Sequence, residues 1–137
     1  MRTEKTRRDY IKISLAIDIK KTIIGSKITK SRQHDTKHAK TLLRNTLKKA
    51  ECYVLDRGYD SEQIHFQIRT ELKANSLIPI RDWSADYVNG EFRKEMANNF
   101  DKKRYGQRNK VETVFSVIKR RFGDRIKGRL FRNQVKE

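Results

Sequence analysis

Cys52-Tyr53-Val54-Leu55-Asp56-Arg57-Gly58-Tyr59-Asp60-Ser61 is the stretch whose reading decides the fold. Four apolar residues in a row suit a short, buried central strand. The run ends at Asp56, and Arg57 to Asp60 reads as a turn. Ser61 with Glu62 then opens a helix to about Lys73, with Ile64, Ile68 and Leu72 spaced for one face. Strand, turn and helix in that order point to a sheet covered by helices. In open α/β sheets ligands bind outside the carboxyl ends of strands, which is where Asp56 stands.

Working outward, Tyr10 to Ile19 alternates, with Ile11, Ile13, Leu15 and Ile17 on one side and Lys12, Ser14, Ala16 and Asp18 on the other. That is the pattern of a half-buried strand. Lys20-Lys21 is a tight connection to a second strand, Ile23 to Thr29, so the two make a hairpin. Asp35 or Thr36 caps a helix reaching roughly Ala50, with Leu42, Leu43 and Leu47 on its inner face. Downstream, Asn75 to Ile80 is another short strand, closed by Pro79. Residues 81–100 are poorly periodic and read as an irregular insertion. A helix runs from about Lys103 to Phe122, its apolar face made by Val111, Val114, Phe115 and Ile118, and Gly123 stops it. The start, residues 1–9, is polar and basic, the tail to Glu137 is basic, and no internal repeat is present. This order implies one α/β domain over residues 1–137, a mixed sheet with flanking helices.

Lys and Arg number 34 against 17 Asp and Glu, a formal charge of +17. A balance so basic points to a polyanionic partner, nucleic acid first and a membrane surface second. Charge alone does not separate these from a well-hydrated surface or a basic RNA-binding protein of the ribosomal kind. No apolar run approaches the roughly 20 residues that span a bilayer, and Met1-Arg2-Thr3-Glu4-Lys5 lacks the apolar core of a signal peptide, so the chain reads as cytosolic. Cys52 is alone, which excludes an intramolecular disulfide and a cysteine-cluster metal site.

Asp56 on a strand end and Glu112 on the last long helix could share hard cations. Mg²⁺ takes oxygen ligands and keeps several waters. Two such ions would activate a water or a 3′-hydroxyl and stabilise the leaving oxygen of a phosphodiester. The plainer readings are a turn or cap residue for Asp56 and a solvated or ion-paired helix residue for Glu112. Tyr105, Arg108, Glu112 and Lys119 are spaced by 3, 4 and 7, so they line one stripe of a helix. Lys119-Arg120-Arg121 adds basic density beside it, suited to a phosphate backbone or to solvent. His34, His38 and His65 make a poor zinc set and read as surface or capping residues.

Tyr105-Gly106-Gln107-Arg108-Asn109-Lys110-Val111-Glu112, followed by Lys119, fits Tyr-x2-Arg-x3-Glu-x6-Lys. It resembles the signature of a large group of insertion-sequence transposases with an Asp-Asp-Glu triad. The stretch from Cys52 to Ser61 is similar to the surroundings of that group's second catalytic Asp. Asn75 to Ile80 resembles the strand that follows, and His34-Asp35 the segment before the first helix. The resemblance implies a ribonuclease H-like fold, with Asp56 and Glu112 as catalytic carboxylates holding Mg²⁺ or Mn²⁺. It makes Tyr105, Arg108 and Lys119 phosphate contacts; Arg120 and Arg121 are DNA-binding candidates from the basic run beside Glu112. Trp83 becomes either a base-stacking residue or a structural one. The implied activity is DNA transposition by strand cleavage and transfer. The implied partner is double-stranded DNA in a prokaryotic cytoplasm, at the nucleoid, with no membrane and no small-molecule cofactor.

The resemblance also implies a first triad Asp on a strand before the hairpin, and Met1 begins too late for it. The expectation is a transposase truncated or frame-split at its N-terminus, lacking the first catalytic strand and inactive alone. Asp18, the only early strand Asp, reads as a turn residue. Strand edges left open by the missing strand would invite oligomers, homodimers among them. The alternative is a non-enzymatic DNA-binding remnant of a transposase.

Overall fold

The computed structural model describes residues 11–30, 34–123, 127 and 131–136. Strands β1 (Ile11–Ile17) and β2 (Ile23–Lys30) form an antiparallel hairpin, with Ile11 opposite Lys30 and Ala16 opposite Gly25. Asp18 builds its turn: Oδ1 accepts the N–H groups of Lys20 and Thr22, both at 2.9 Å, and Lys21 takes a positive φ of 66°.

Opposed residues share a face, so Lys12, Ser14, Ala16 and Gly25 form one side of the ribbon. Helix α1 (Asp35–Arg44) covers that side: Lys12 pairs with Asp35, and Leu42 and Thr46 lie over Gly25. The bare glycine and small side chains let the helix approach closely. The isoleucine side points the other way, and Ile13 and Ile23 stay 43% and 45% exposed. Helix α1 stops at Arg44, short of the expected Ala50. Thr46 Oγ1 donates to Leu43 O, and the Leu47 N–H turns back to Ile24 O at 2.9 Å. That bond pulls Leu47 off the face that buries Leu42 and Leu43 and leaves it exposed, against the sequence expectation.

Strand β3 (Cys52–Val54) pairs in parallel with β4 (Asn75–Leu77), Tyr53 lying opposite Ser76. Between them run a 3₁₀ turn, Arg57–Tyr59, and α2 (Glu62–Phe66), which widens into a π turn, Gln67–Glu71, closed by Leu72 N–H to Gln67 O. Ala39 and Leu43 of α1 pack with Ile64, Ile68, Ala74 and Ile78 in the main core. The expected α/β mixture of strands and helices is present, but as small sheets where one mixed sheet was expected, and β3 is half-buried, not fully buried. Among the described residues the hairpin and the parallel pair are separate two-stranded ladders. His65, expected at the surface, is wholly buried: its Nδ1 meets Ser76 Oγ at 2.7 Å and its ring stacks on Phe92.

Residues 81–90 carry no helix or strand, but 91–98, also expected to be irregular, form helix α3 (Glu91–Asn98). Its start is stabilised from a distance. Glu62 accepts the N–H groups of Phe92 and Arg93, both at 3.1 Å. These are amides that lack partners within the helix. Gly90, at φ 93°, admits this because a Cβ there would overlap the Glu62 carboxylate. The long C-terminal helix is segmented into α4 (Lys102–Tyr105), a 3₁₀ turn, Gly106–Arg108, and α5 (Asn109–Phe122). Gly123, at φ 82°, ends it, and α5 packs along β1. Val111, Val114, Phe115 and Ile118 are half-buried on α5. A short α6 (Phe131–Lys136) lies in the tail.

Candidate active site

Asp56 follows the end of β3 and caps the 3₁₀ turn, its Oδ1 accepting Arg57 N–H at 2.6 Å. Its other oxygen, Oδ2, faces Arg108 Nη1 at 3.3 Å. Arg108 closes the 3₁₀ turn before α5, and its Nη2 donates to Glu112 Oε1 at 2.7 Å, one turn along. One guanidinium thus joins two carboxylates from different elements. Asp56 and Glu112 keep 56% and 58% of their side-chain area in solvent, so ligands and water can reach both.

Tyr105 backs this contact. The Arg108 guanidinium carbon stands 5.9 Å from its ring centroid, near the limit for a cation–π contact. Burial raises the Tyr105 phenol above the ordinary tyrosine range, helped by Asp56 and Glu112 and opposed by Arg108. The ring is also tilted against Phe100 at 5.1 Å, and Phe100 meets Trp83 edge-on at 5.5 Å. A ladder of three rings therefore runs from half-exposed Trp83 to the carboxylate-bridging arginine.

Lys119, Arg120 and Arg121 are exposed in the last turns of α5, beyond Glu112. Cations there also complement the negative end of the helix. The structure thus gathers Asp56, Arg108, Glu112 and Tyr105 in one place; Trp83 connects to them through Phe100, and the basic run lies further along α5.

Sequence reasoning passed over two groups. Phe100 lay in a stretch read as irregular and is the rung under Tyr105. Asp60 is enclosed and binds Arg93 Nε and Nη2 at 2.7 and 2.8 Å and the Arg81 N–H at 2.9 Å. Burial pushes the Asp60 carboxyl up, but Arg93 and the Arg81 amide outweigh it and hold the group below the usual aspartate range. This clamp fixes α3, and with it the approach to Phe100. A Gly58–Tyr59–Asp60 turn was visible in the sequence; its arginine partner was not.

The donor chemistry of Asp56 and Glu112 fits a small hard cation. Both offer carboxylate oxygens, both are open to water, and a cationic group already lies against the two. Among the described residues no group of three or more His, Cys, Asp and Glu is placed to hold a metal ion. No helix among them is long and apolar enough to cross a membrane.

No curated protein and no solved structure matches the chain. The family model for the transposase DDE domain does, over residues 1–137. By that match, with which the mixed α/β architecture agrees, the chain belongs to the DDE transposase domain family.

Proposed function

We propose that this domain carries out metal-dependent strand cleavage and strand transfer at the ends of an insertion sequence, with Asp56 and Glu112 holding Mg²⁺ or Mn²⁺. The observation that carries the reading is the shared guanidinium, which brings the two carboxylates to one cation. A bound divalent ion would supply a polarised water or 3′-hydroxyl and charge stabilisation at the leaving oxygen. The chain's own residues do the rest. Arg108 presents a planar fork that suits a phosphodiester bidentately. The ring of Tyr105 holds that fork in place. Lys119, Arg120 and Arg121 continue the positive surface along α5 and take up the DNA backbone. Trp83 offers an exposed ring edge to a base.

In this reading the hairpin and the β3–β4 pair are parts of one ribonuclease H-like sheet, and Tyr105, Arg108, Glu112 and Lys119 form a transposase signature. The reaction uses a third carboxylate, and among the described residues none forms a metal-holding group with Asp56 and Glu112. Two carboxylates hold one ion loosely, and in-line displacement then lacks one of its two clamps. The chain alone should bind duplex DNA and cleave it poorly. Double-stranded DNA is the partner, a homodimer the first oligomer to seek, and the nucleoid of a prokaryotic cell the place of work. A DNA-binding remnant is the second reading, favoured by the lack of a three-residue metal set among the described residues.

Cleavage of a terminal-repeat duplex separates them. With an Asp-bearing upstream segment supplied by fusion or in trans, Mg²⁺-dependent nicking should appear. Asp56→Ala and Glu112→Ala should each lower it by at least a hundredfold while DNA retention stays within about threefold, since surface charges and not these carboxylates drive affinity. Full cleavage in either variant would refute the assignment, and no cleavage in the reconstituted protein would favour the remnant.

A further inference from the structure

A guanidinium is a permanent cation, and Arg108 stands between Asp56 and Glu112. Its two contacts are of the kind that exchange easily. The Arg108 side chain is 29% exposed and its partners more than half exposed. Pairs that open to water are held weakly. Behind the fork stands Tyr105, seated on Phe100 and through it on Trp83. The arginine is thus gripped loosely in front by the carboxylates and supported behind by the rings.

We propose that Arg108 is the resident counter-cation of this carboxylate pair, that it would compete with a divalent ion for these carboxylates, and that its fork, once released, binds a phosphodiester oxygen. The inference rests on the reading that Asp56 and Glu112 hold metal. It adds a coupling that the metal assignment does not contain. Without DNA, the ion competes with Arg108 for both carboxylates, so its affinity is lowered. Without metal, the carboxylates compete with phosphate for Arg108, so DNA loses its best contact at this point. Each ligand removes the other's competitor. Reciprocity then requires that DNA tighten metal binding by the same factor as metal tightens DNA binding. Phe100 backs the Tyr105 ring that lies behind the fork.

The test follows Mn²⁺ binding to the full chain by the electron paramagnetic resonance of free Mn²⁺, with and without a saturating duplex. DNA affinity is measured in parallel, with and without Mn²⁺, at constant ionic strength. In the unaltered chain both ratios should agree and exceed about threefold. Arg108→Ala should bind Mn²⁺ about three- to tenfold more tightly without DNA, the range set by breaking weak, exposed ion pairs. Its coupling ratio should fall well below that of the unaltered chain. Arg108→Lys keeps the charge but not the fork, and should lose most of the coupling. Arg57→Ala is the control for charge alone. Arg57 is exposed and meets Asp56 through its backbone N–H, so metal affinity should change less than about twofold.

Unchanged or weaker Mn²⁺ binding in Arg108→Ala would overturn the proposal. So would full coupling in that variant, or an Arg57→Ala effect equal to it. The two layers fail separately. If Asp56→Ala and Glu112→Ala bind Mn²⁺ as the unaltered chain does, the metal reading itself falls. If they lose the ion while Arg108→Ala behaves as the unaltered chain, only the counter-cation role falls.

Discussion

Replacing Asp60 by Ala should be among the most damaging single changes outside the apolar core. Its carboxylate is fully enclosed, while Arg93, its partner, keeps 26% of its side chain exposed. Three hydrogen bonds are lost at once, two from Arg93 and one from the Arg81 amide. Removing one partner of a buried, hydrogen-bonded ion pair costs about 3–5 kcal/mol. Water reaches the stranded Arg93, so we discount this to about 2–4 kcal/mol. For a domain of this size that lowers the melting temperature by roughly 6–15 °C. Thermal and urea unfolding can be followed by far-UV circular dichroism and by Trp83, the only tryptophan, which rests on Phe100 just beyond α3. Arg93→Ala should cost a similar amount. The double variant should fall short of the sum by about 2 kcal/mol, as for residues in one network. A loss below about 1 kcal/mol for Asp60→Ala, or strict additivity, would show that the clamp does not hold α3.

The depressed Asp60 also fixes a sign: its stabilisation is complete above the ordinary aspartate value of 3.8 and is lost as pH falls through its lower folded value, so the Asp60→Ala variant should show a shallower acid limb below pH 3.8. His65 acts at milder pH. Burial lowers its folded pKa below the ordinary 6.5, so the unfolded chain takes up the proton first and stability should decline as pH drops below 6.5; a pH series of melts in which His65→Gln shows the same slope as the unaltered chain would exclude it. Gly90→Ala should destabilise by about 1–3 kcal/mol through its positive φ, and more through overlap with Glu62, and urea midpoints will show whether it does. Retention on unrelated duplexes should drop by orders of magnitude between about 50 and 200 mM salt if the +17 charge drives binding, and a flat response would remove the electrostatic footprint.

Much of the local structure was legible because it rests on short-range rules. Period-two alternation marked the hairpin, the apolar run ending at Asp56 marked β3, and 3.6-residue spacing with Gly123 marked the end of α5. The Tyr105–Arg108–Glu112 spacing placed those side chains on neighbouring turns, and α5 with its preceding turns realises it. The family, too, could be reached from the residues around Asp56 and Glu112.

What tertiary structure decided is where partners come from across long sequence separations. Helix α3 has no cap of its own and looked irregular, because the carboxylate that satisfies its first amides belongs to Glu62. Leu47 looked like core until its amide was drawn to β2, and His65 looked like surface until Ser76 and Phe92 enclosed it. The hairpin's apolar side could be read from alternation, but α1 settles on the other side because Ala16 and Gly25 let it come close. Nor did spacing reveal that Arg108 reaches Asp56 as well as Glu112, or that Phe100 links Tyr105 to Trp83. Periodicity encodes which face of an element is apolar. Which distant group meets that element depends on how the chain closes on itself, and the candidate site owes its geometry to that closure.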